Sequence, residues 1–226
     1  DSCGGRSESR SRGDRGRDRG CSSARIKRKL IKRGAHGQGY WIPQIDVSNP
    51  EGYKAYMAAT PPAHEKYYGV ALVRGGRMEV VEGRARGRCV LREFPDYAAA
   101  LACYRSDDYQ RARPLRLPHS QCDFIVAEGY DGAQPPSPSP PPPTAARKGY
   151  WIGHIDVTDP EGYKEYMVAD MMPFGKFRGR FLVRGGRREV TEGKVRSRTV
   201  VLEFPKLRYR ARLLPLVRLP RGQEVA

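Results

Sequence analysis

Among the side chains able to move a proton, His64 stands out, because histidine changes charge close to neutral pH. It falls late in a helical stretch, with Arg74 and Tyr104 as plausible neighbours, and these three are the candidates for a catalytic set. The same position 110 residues later is Phe174. Any base chemistry at this place therefore belongs to one stretch of the chain, and packing is the competing role. Gln44 and its counterpart His154 sit on the strand face opposite Trp41 and Trp151. They touch a ligand if that face lines an interior, and water if it does not. Tyr53, Tyr56, Tyr104 and Tyr109 suit either an apolar pocket with polar tips or an amphipathic core. Gln44, Tyr53, Tyr104 and His154 are the candidate ligand contacts.

Carboxylates recur as well: Asp46 and Asp156, Glu79 and Glu82, Glu189 and Glu192. Paired carboxylates can act as acid and base. At strand ends and hairpins, salt bridges to Arg74, Arg77, Arg184 and Arg187 are the simpler expectation. The repeated Arg-Gly-Gly-Arg reads as a turn, since no P-loop or dinucleotide-type glycine motif accompanies it. The five cysteines include no CxxC pair, so neither a zinc site nor a disulfide framework is expected. Cys89 and Cys122 lie in apolar strand-like runs, as buried reduced thiols do. No cofactor is implied.

The formal net charge of +17 is unevenly spread. Residues 1–39 carry +8, residues 40–132 carry none, and residues 149–226 carry +7. The arm at 1–38 is rich in Arg, Gly and Ser and too poor in apolar residues to form a core, so disorder is expected. Arg25, Lys27, Arg28, Lys29, Lys32 and Arg33 are its candidate contacts to a polyanion. Without interleaved aromatics, nucleic-acid binding through them would be non-specific and salt-sensitive. The first residues have no apolar signal-like stretch. No run approaches the ~18–20 apolar residues of a membrane span, and a soluble, reducing compartment is the expectation.

The elements that position these residues occur twice. YWIPQIDVSNPEGYKAYMAA at residue 40 returns as YWIGHIDVTDPEGYKEYMVA at 150, and ALVRGGRMEVVEG at 71 returns as FLVRGGRREVTEG at 181. The offset stays at 110 from Tyr40 to Pro95, which marks a duplication. Between the copies, residues 131–148 are proline-rich and read as a semi-rigid spacer. In one unit, Tyr40–Val47 alternates as a strand. Asn49-Pro50-Glu51 starts a helix, as does Asp159-Pro160-Glu161. Val70–Arg74 and Met78–Glu82 form a hairpin about Gly75-Gly76. Arg88–Phe94 is a strand, Asp96 and Ser106 cap two further helices, and Cys122–Ala127 is a last strand. The order predicts an α+β, ferredoxin-like unit with helices on one sheet face. The second sheet face then needs a cover, from the other copy or from another chain.

These blocks, with Glu93-Phe94-Pro95, Ala100, Tyr104, Ser106 and Tyr109, resemble the DUF1330 family of the dimeric α/β-barrel group. The resemblance covers residues 39–130 and, in shortened form, 149–226. It implies a ferredoxin-like fold and pairing through sheet faces, either within the chain or as a homodimer. It carries no established reaction and no catalytic residues. After Pro205 the second copy departs from the pattern, lacking about ten residues of the second helix and any equivalent of CDFIVAEGY. Two readings remain. One is a small-molecule-binding barrel pair, with cofactor-free oxidative or isomerase-like chemistry as its extension. The other is an accessory subunit of a larger assembly whose basic arm meets an acidic partner.

Overall fold

The structure is a computed structural model that describes residues 37–137 and 147–205. The six arm residues named above as polyanion contacts lie outside the described residues, as does the chain after Pro205.

In the first copy, β1 (Gly39–Trp41) and β2 (Gln44–Val47) run along one line broken at Ile42 and Pro43. The second copy has Gly153 in place of Pro43 and forms one continuous strand, β6 (Gly149–Ile155). Proline has no N–H for the ladder, so the single strand expected over Tyr40–Val47 is interrupted there. The Pro43 carbonyl still accepts from Val90 N at 3.0 Å.

The helix starts follow their caps. Asn49 accepts from Gly52 N at the head of α1 (Pro50–Ala59), and Asp96 accepts from Ala99 N at the head of α3 (Tyr97–Arg105). Ser106 does the same for α4 (Asp107–Ala112). Asp159 caps α5 (Pro160–Ala169) as Asn49 caps α1. After α1 and α5 come short helices, α2 (Pro61–Lys66) and α6 (Met171–Lys176). Each closes on a residue in the left-handed region, Tyr68 and Arg178, both at φ 57°.

Strands β3 (Val70–Arg74) and β4 (Arg88–Phe94) pair antiparallel, and β4 pairs with β1 and β2. Two 3₁₀ turns then lead to β5 (Ser120–Glu128), which closes the other side of β1 and β2. The second copy repeats the scheme with β6, β7 (Arg180–Arg184) and β9 (Arg198–Phe204), β9 lying between the other two. The registers agree at the 110 offset: Trp41 faces Arg92 and Trp151 faces Leu202. Even the bulge recurs, between Ala71 and Val73 and between Phe181 and Val183.

The hairpin expected about Gly75-Gly76 pairs its two arms in neither copy, and the second arm differs between them. In the second it is β8 (Arg188–Glu192), paired antiparallel with β5 of the first copy. In the first copy residues 78–82 form no strand, and Met78, Val80 and Val81 stand exposed. An arm of this kind holds strand geometry only against an edge that satisfies its backbone. Residues from both copies share one apolar cluster, in which Tyr40, Ile42, Leu91 and Ile125 meet Leu182, Val183 and Val201. The fold is α+β and ferredoxin-like, present twice in tandem, with helices on the outer face of each sheet.

Candidate functional site

Two places on the helix-bearing faces gather polar groups. In the first copy, Trp41 from β1 lies among Phe94, Tyr109 and Phe124 at ring-centroid distances of 4.9–5.0 Å. Its indole N–H donates to Ala100 O at 2.8 Å, tying β1 to α3. Beside this packed aromatic centre is a buried charge cluster. Arg116, 1% exposed, donates to Glu192, and Arg113 Nε lies 3.2 Å from the same carboxylate oxygen. Tyr104 Oη also donates to Glu192, at 2.8 Å. The Arg116 guanidinium lies 5.6 Å from the Tyr56 ring, and Tyr56 Oη is 3.1 Å from Tyr109 Oη.

Glu192 belongs to β8, so pairing with β5 carries it into the first copy. Burial alone would raise its pKa, but Arg116, Tyr104 and Arg113 hold it below the ordinary value. Burial likewise opposes the Arg116 charge, yet Tyr109, Cys122, Tyr56 and Glu192 together keep it firmly protonated. The cluster is a filled network of paired charges, in which the Arg113 Nε meets Glu192 as an ion pair without hydrogen-bond geometry. Four of the acids take partners other than the expected Arg74, Arg77, Arg184 and Arg187. Glu189 pairs with Arg105, Glu192 with Arg116 and Arg113, Asp46 with Arg86, and Asp156 with Arg196. For Glu189 and Glu192 the reason is the β5–β8 pairing, which carries them towards the first copy's arginines.

The second place is open. A groove of about 610 Å³ lies along α5 and α6 of the second copy. Met167, Val168 and Met171 form its apolar wall, Tyr130 closes one end, and Lys164, Arg184 and Arg198 bring positive charge. Tyr130 comes from the segment after β5. That segment is docked on the second copy: Tyr130 N donates to Leu182 O, and the Gln134 side chain bonds both backbone groups of Phe181. Arg184 lies 4.4 Å above the Phe181 ring and 5.5 Å from the Tyr130 ring, donating to Tyr130 Oη and Met167 O. Arg198 donates to Arg184 O at 3.3 Å and reaches Met167 Sδ, while its buried Nε has no acceptor. Its guanidinium packs under Gly185, whose φ of 72° and missing side chain leave the space.

No carboxylate forms an ion pair with Arg184 or Arg198 among the described residues. Lys164 is held by Glu161 at 2.7 Å on the exposed flank. Asp170 is buried at the head of α6, and that burial pushes its carboxyl up to about 6, against the pull of Tyr166 and Arg184.

The residues expected from sequence are dispersed. His64 stands on α2 with its ring edge-on to Trp41 at 5.5 Å. Burial, then Arg92 and Arg74, lower its pKa to about 3, so the ring is neutral. Tyr104 is committed to Glu192, and burial raises its phenol to about 12. Arg74 is exposed on β3. Tyr53 is buried on α1 with its ring 5.2 Å from that of Tyr56. Gln44 is half-buried on β2, opposite Cys89. His154 is half-buried on β6, its Nδ1 3.2 Å from Thr199 Oγ1, and burial followed by Arg188 lowers its pKa to about 4. Sequence reasoning did not single out Arg116, Arg198 or Tyr130. For the groove a signal existed: the densest differences between the copies run from Ala58/Val168 to Ala71/Phe181, and Val168 and Met171 of this stretch line it.

Among the described residues no group of His, Cys, Asp and Glu is placed to hold a metal ion, and no helix is long and apolar enough to cross a membrane. No curated protein matches the chain. Among solved structures it is similar to a protein of unknown function from Rhodopseudomonas palustris, at 17% identity and a TM-score of 0.34, over 51% of this chain and 97% of that one. The methylated form of that protein gives 18% identity and a TM-score of 0.36, over 52% and 96%. An anthrone oxidase-like protein gives 12% identity and a TM-score of 0.44, over 84% and 81%. The family model described as "Domain of unknown function (DUF1330)" matches residues 38–130 and 148–212. These two segments make up well over half of the chain, and the protein belongs to the DUF1330 family.

Proposed function

We propose that the protein binds a small organic molecule, with the first copy acting as a packed scaffold and the second carrying the ligand. In this reading the functional units are residues 39–130 and 149–226, paired within one chain. The observation that carries it is the groove of about 610 Å³ along α5 and α6. Its size falls in the range of small-molecule sites, and its apolar wall with a few fixed polar groups is their usual composition. The apolar cluster between the sheets is filled by its own side chains, which directs the ligand to the outer face. Oxidative or isomerase-like chemistry is the extension of this reading, and Asp170 beside the groove is the group to follow in it.

The test uses the full chain labelled at its methionine methyls and screened against small molecules by NMR. The five methionines divide well: Met167 and Met171 line the groove, while Met57 and Met78 lie in the first copy. Binding should move the groove methyls and leave those two still, and Met171→Trp should abolish it by filling the space. Ligands that leave Met167 and Met171 unmoved overturn the reading.

A specific observation favours an accessory-subunit role as a second reading. Met78, Val80 and Val81 are exposed on a segment whose repeat counterpart is a paired strand, as a surface awaiting a protein strand would be. Light scattering of wild type and Val80→Lys decides it: a larger assembly reduced by the substitution supports the partner, and an unchanged mass opposes it.

A further inference from the structure

The groove's walls differ from the corresponding surface of the first copy in a consistent way. Val168, Met171 and Phe181 stand where the first copy has Ala58, Pro61 and Ala71. The two arginines are the same in both copies, Arg74 with Arg88 and Arg184 with Arg198. In the first copy Arg74 is exposed; in the second, Arg184 is half-buried between Phe181 and Tyr130. Apolar surface has thus been built around a retained pair of cations.

The guanidiniums are fixed and only partly used. Arg184 spends N–H groups on Tyr130 Oη and Met167 O, and Arg198 on Arg184 O and Met167 Sδ. Each guanidinium has five N–H groups, so N–H groups remain on both beyond these bonds and the Arg198 contact with Tyr163. Two positive charges without an ion-paired carboxylate, beside an apolar wall, suit an anion carrying an apolar body. A planar carboxylate matches the guanidinium fork.

Resting on the groove reading above, we infer that the ligand is an amphiphilic monocarboxylate, its carboxylate held by Arg184 and Arg198 and its apolar body lying along Met167, Val168 and Met171. Lys164 contributes little, because Glu161 already holds it. The anion enters at the arginine end, and the tail follows α5 towards solvent.

Three probes of equal length separate charge from apolarity: octanoate, octan-1-ol and octylamine, titrated into the methionine-labelled full chain at low salt. Octanoate should bind about tenfold or more tightly than octanol, as expected for a charge-assisted bidentate contact, and octylamine weakest. Arg198→Gln should remove the preference for octanoate while leaving octanol unchanged, and Arg88→Gln, its first-copy counterpart, should change nothing. Should Arg198→Gln lose its methyl spectrum through misfolding, Arg198→Lys keeps the charge without the fork and should retain part of the preference. Equal binding of octanol, or tighter binding of octylamine, with Met167 and Met171 shifting, overturns the carboxylate inference while the groove stands. No shift with octanoate overturns it as well, and the outcome of the wider screen then shows whether the groove itself fails.

Discussion

Trp41 and Trp151 occupy the same place in the two copies, yet among the described residues only Trp41 has its indole N–H satisfied, by Ala100 O. The Trp151 Nε1 is buried with no hydrogen-bond partner among the described residues. Glu192 and Glu82 differ in the same manner: one is buried against Arg116 and the other is exposed. Near-identical sequence thus meets different surroundings. A side chain's chemistry here is set by what the other copy brings to it. Glu192 serves the first copy's centre, and Tyr130 closes the second copy's groove.

Several substitutions break or sharpen that comparison. The largest effect is expected at the buried ion pair. Glu192→Ala leaves Arg116 without a counter-charge and should cost about 3–5 kcal/mol of unfolding free energy. Glu82→Ala, at the same place in the repeat, should stay within about 0.5 kcal/mol. Urea unfolding of both variants measures the contrast, and similar losses would show that the copies are equivalent there.

His64 gives a pH-dependent asymmetry, because Phe174 replaces it in the second copy. Its folded pKa of about 3 lies below the ordinary 6.5. Between these values the unfolded chain binds the proton and the folded chain does not, so stability falls as pH drops through this window. The slope contributed is about 1.4 kcal/mol per pH unit. His64→Phe should remove that contribution, changing the pH dependence of thermal melts between pH 6 and 4 by about that amount relative to wild type. Asp170 acts in the opposite sense. Its folded pKa of about 6 lies above the ordinary 3.8, so stability falls as pH rises from about 4 to 6, and Asp170→Asn should remove this contribution.

The tryptophans give a smaller contrast. Trp41→Phe removes the indole's bond to Ala100 O and should cost about 0.5–1.5 kcal/mol more than Trp151→Phe, whose donor has no partner among the described residues. Both substitutions delete the same atoms, so the difference in unfolding free energy reports the hydrogen bond together with the tighter aromatic packing around Trp41. The smallest effect is expected for Pro43→Gly, which gives the first copy the second copy's residue. It should change stability by less than about 1 kcal/mol, and hydrogen exchange should show residue 43 gaining a protected amide within a continuous strand.

Much of the fold was legible in local patterns. Asn49, Asp96, Ser106 and Asp159 cap helices as their types suggest, because a cap needs only a short acceptor and the N–H groups two or three residues on. The α+β order and the ferredoxin-like unit followed from alternation and turn residues, and the family followed from the repeated blocks. The strand expected over Met78–Glu82 forms only in the second copy, since its formation depends on β5 lying alongside. The destinations of Glu189 and Glu192 were not legible either, since their ion pairs link residues 76–84 positions apart.

The sequence by itself determined the duplication, the element order, the caps and the chemistry available at each position, because these depend on residue type and spacing alone. The tertiary structure decided which copy's acid meets which copy's arginine, which tryptophan is satisfied, and where space remains beside Arg184 and Arg198. Those outcomes depend on burial and on strand pairing between distant segments. Two stretches of nearly the same sequence cannot differ in such respects until each has its neighbours.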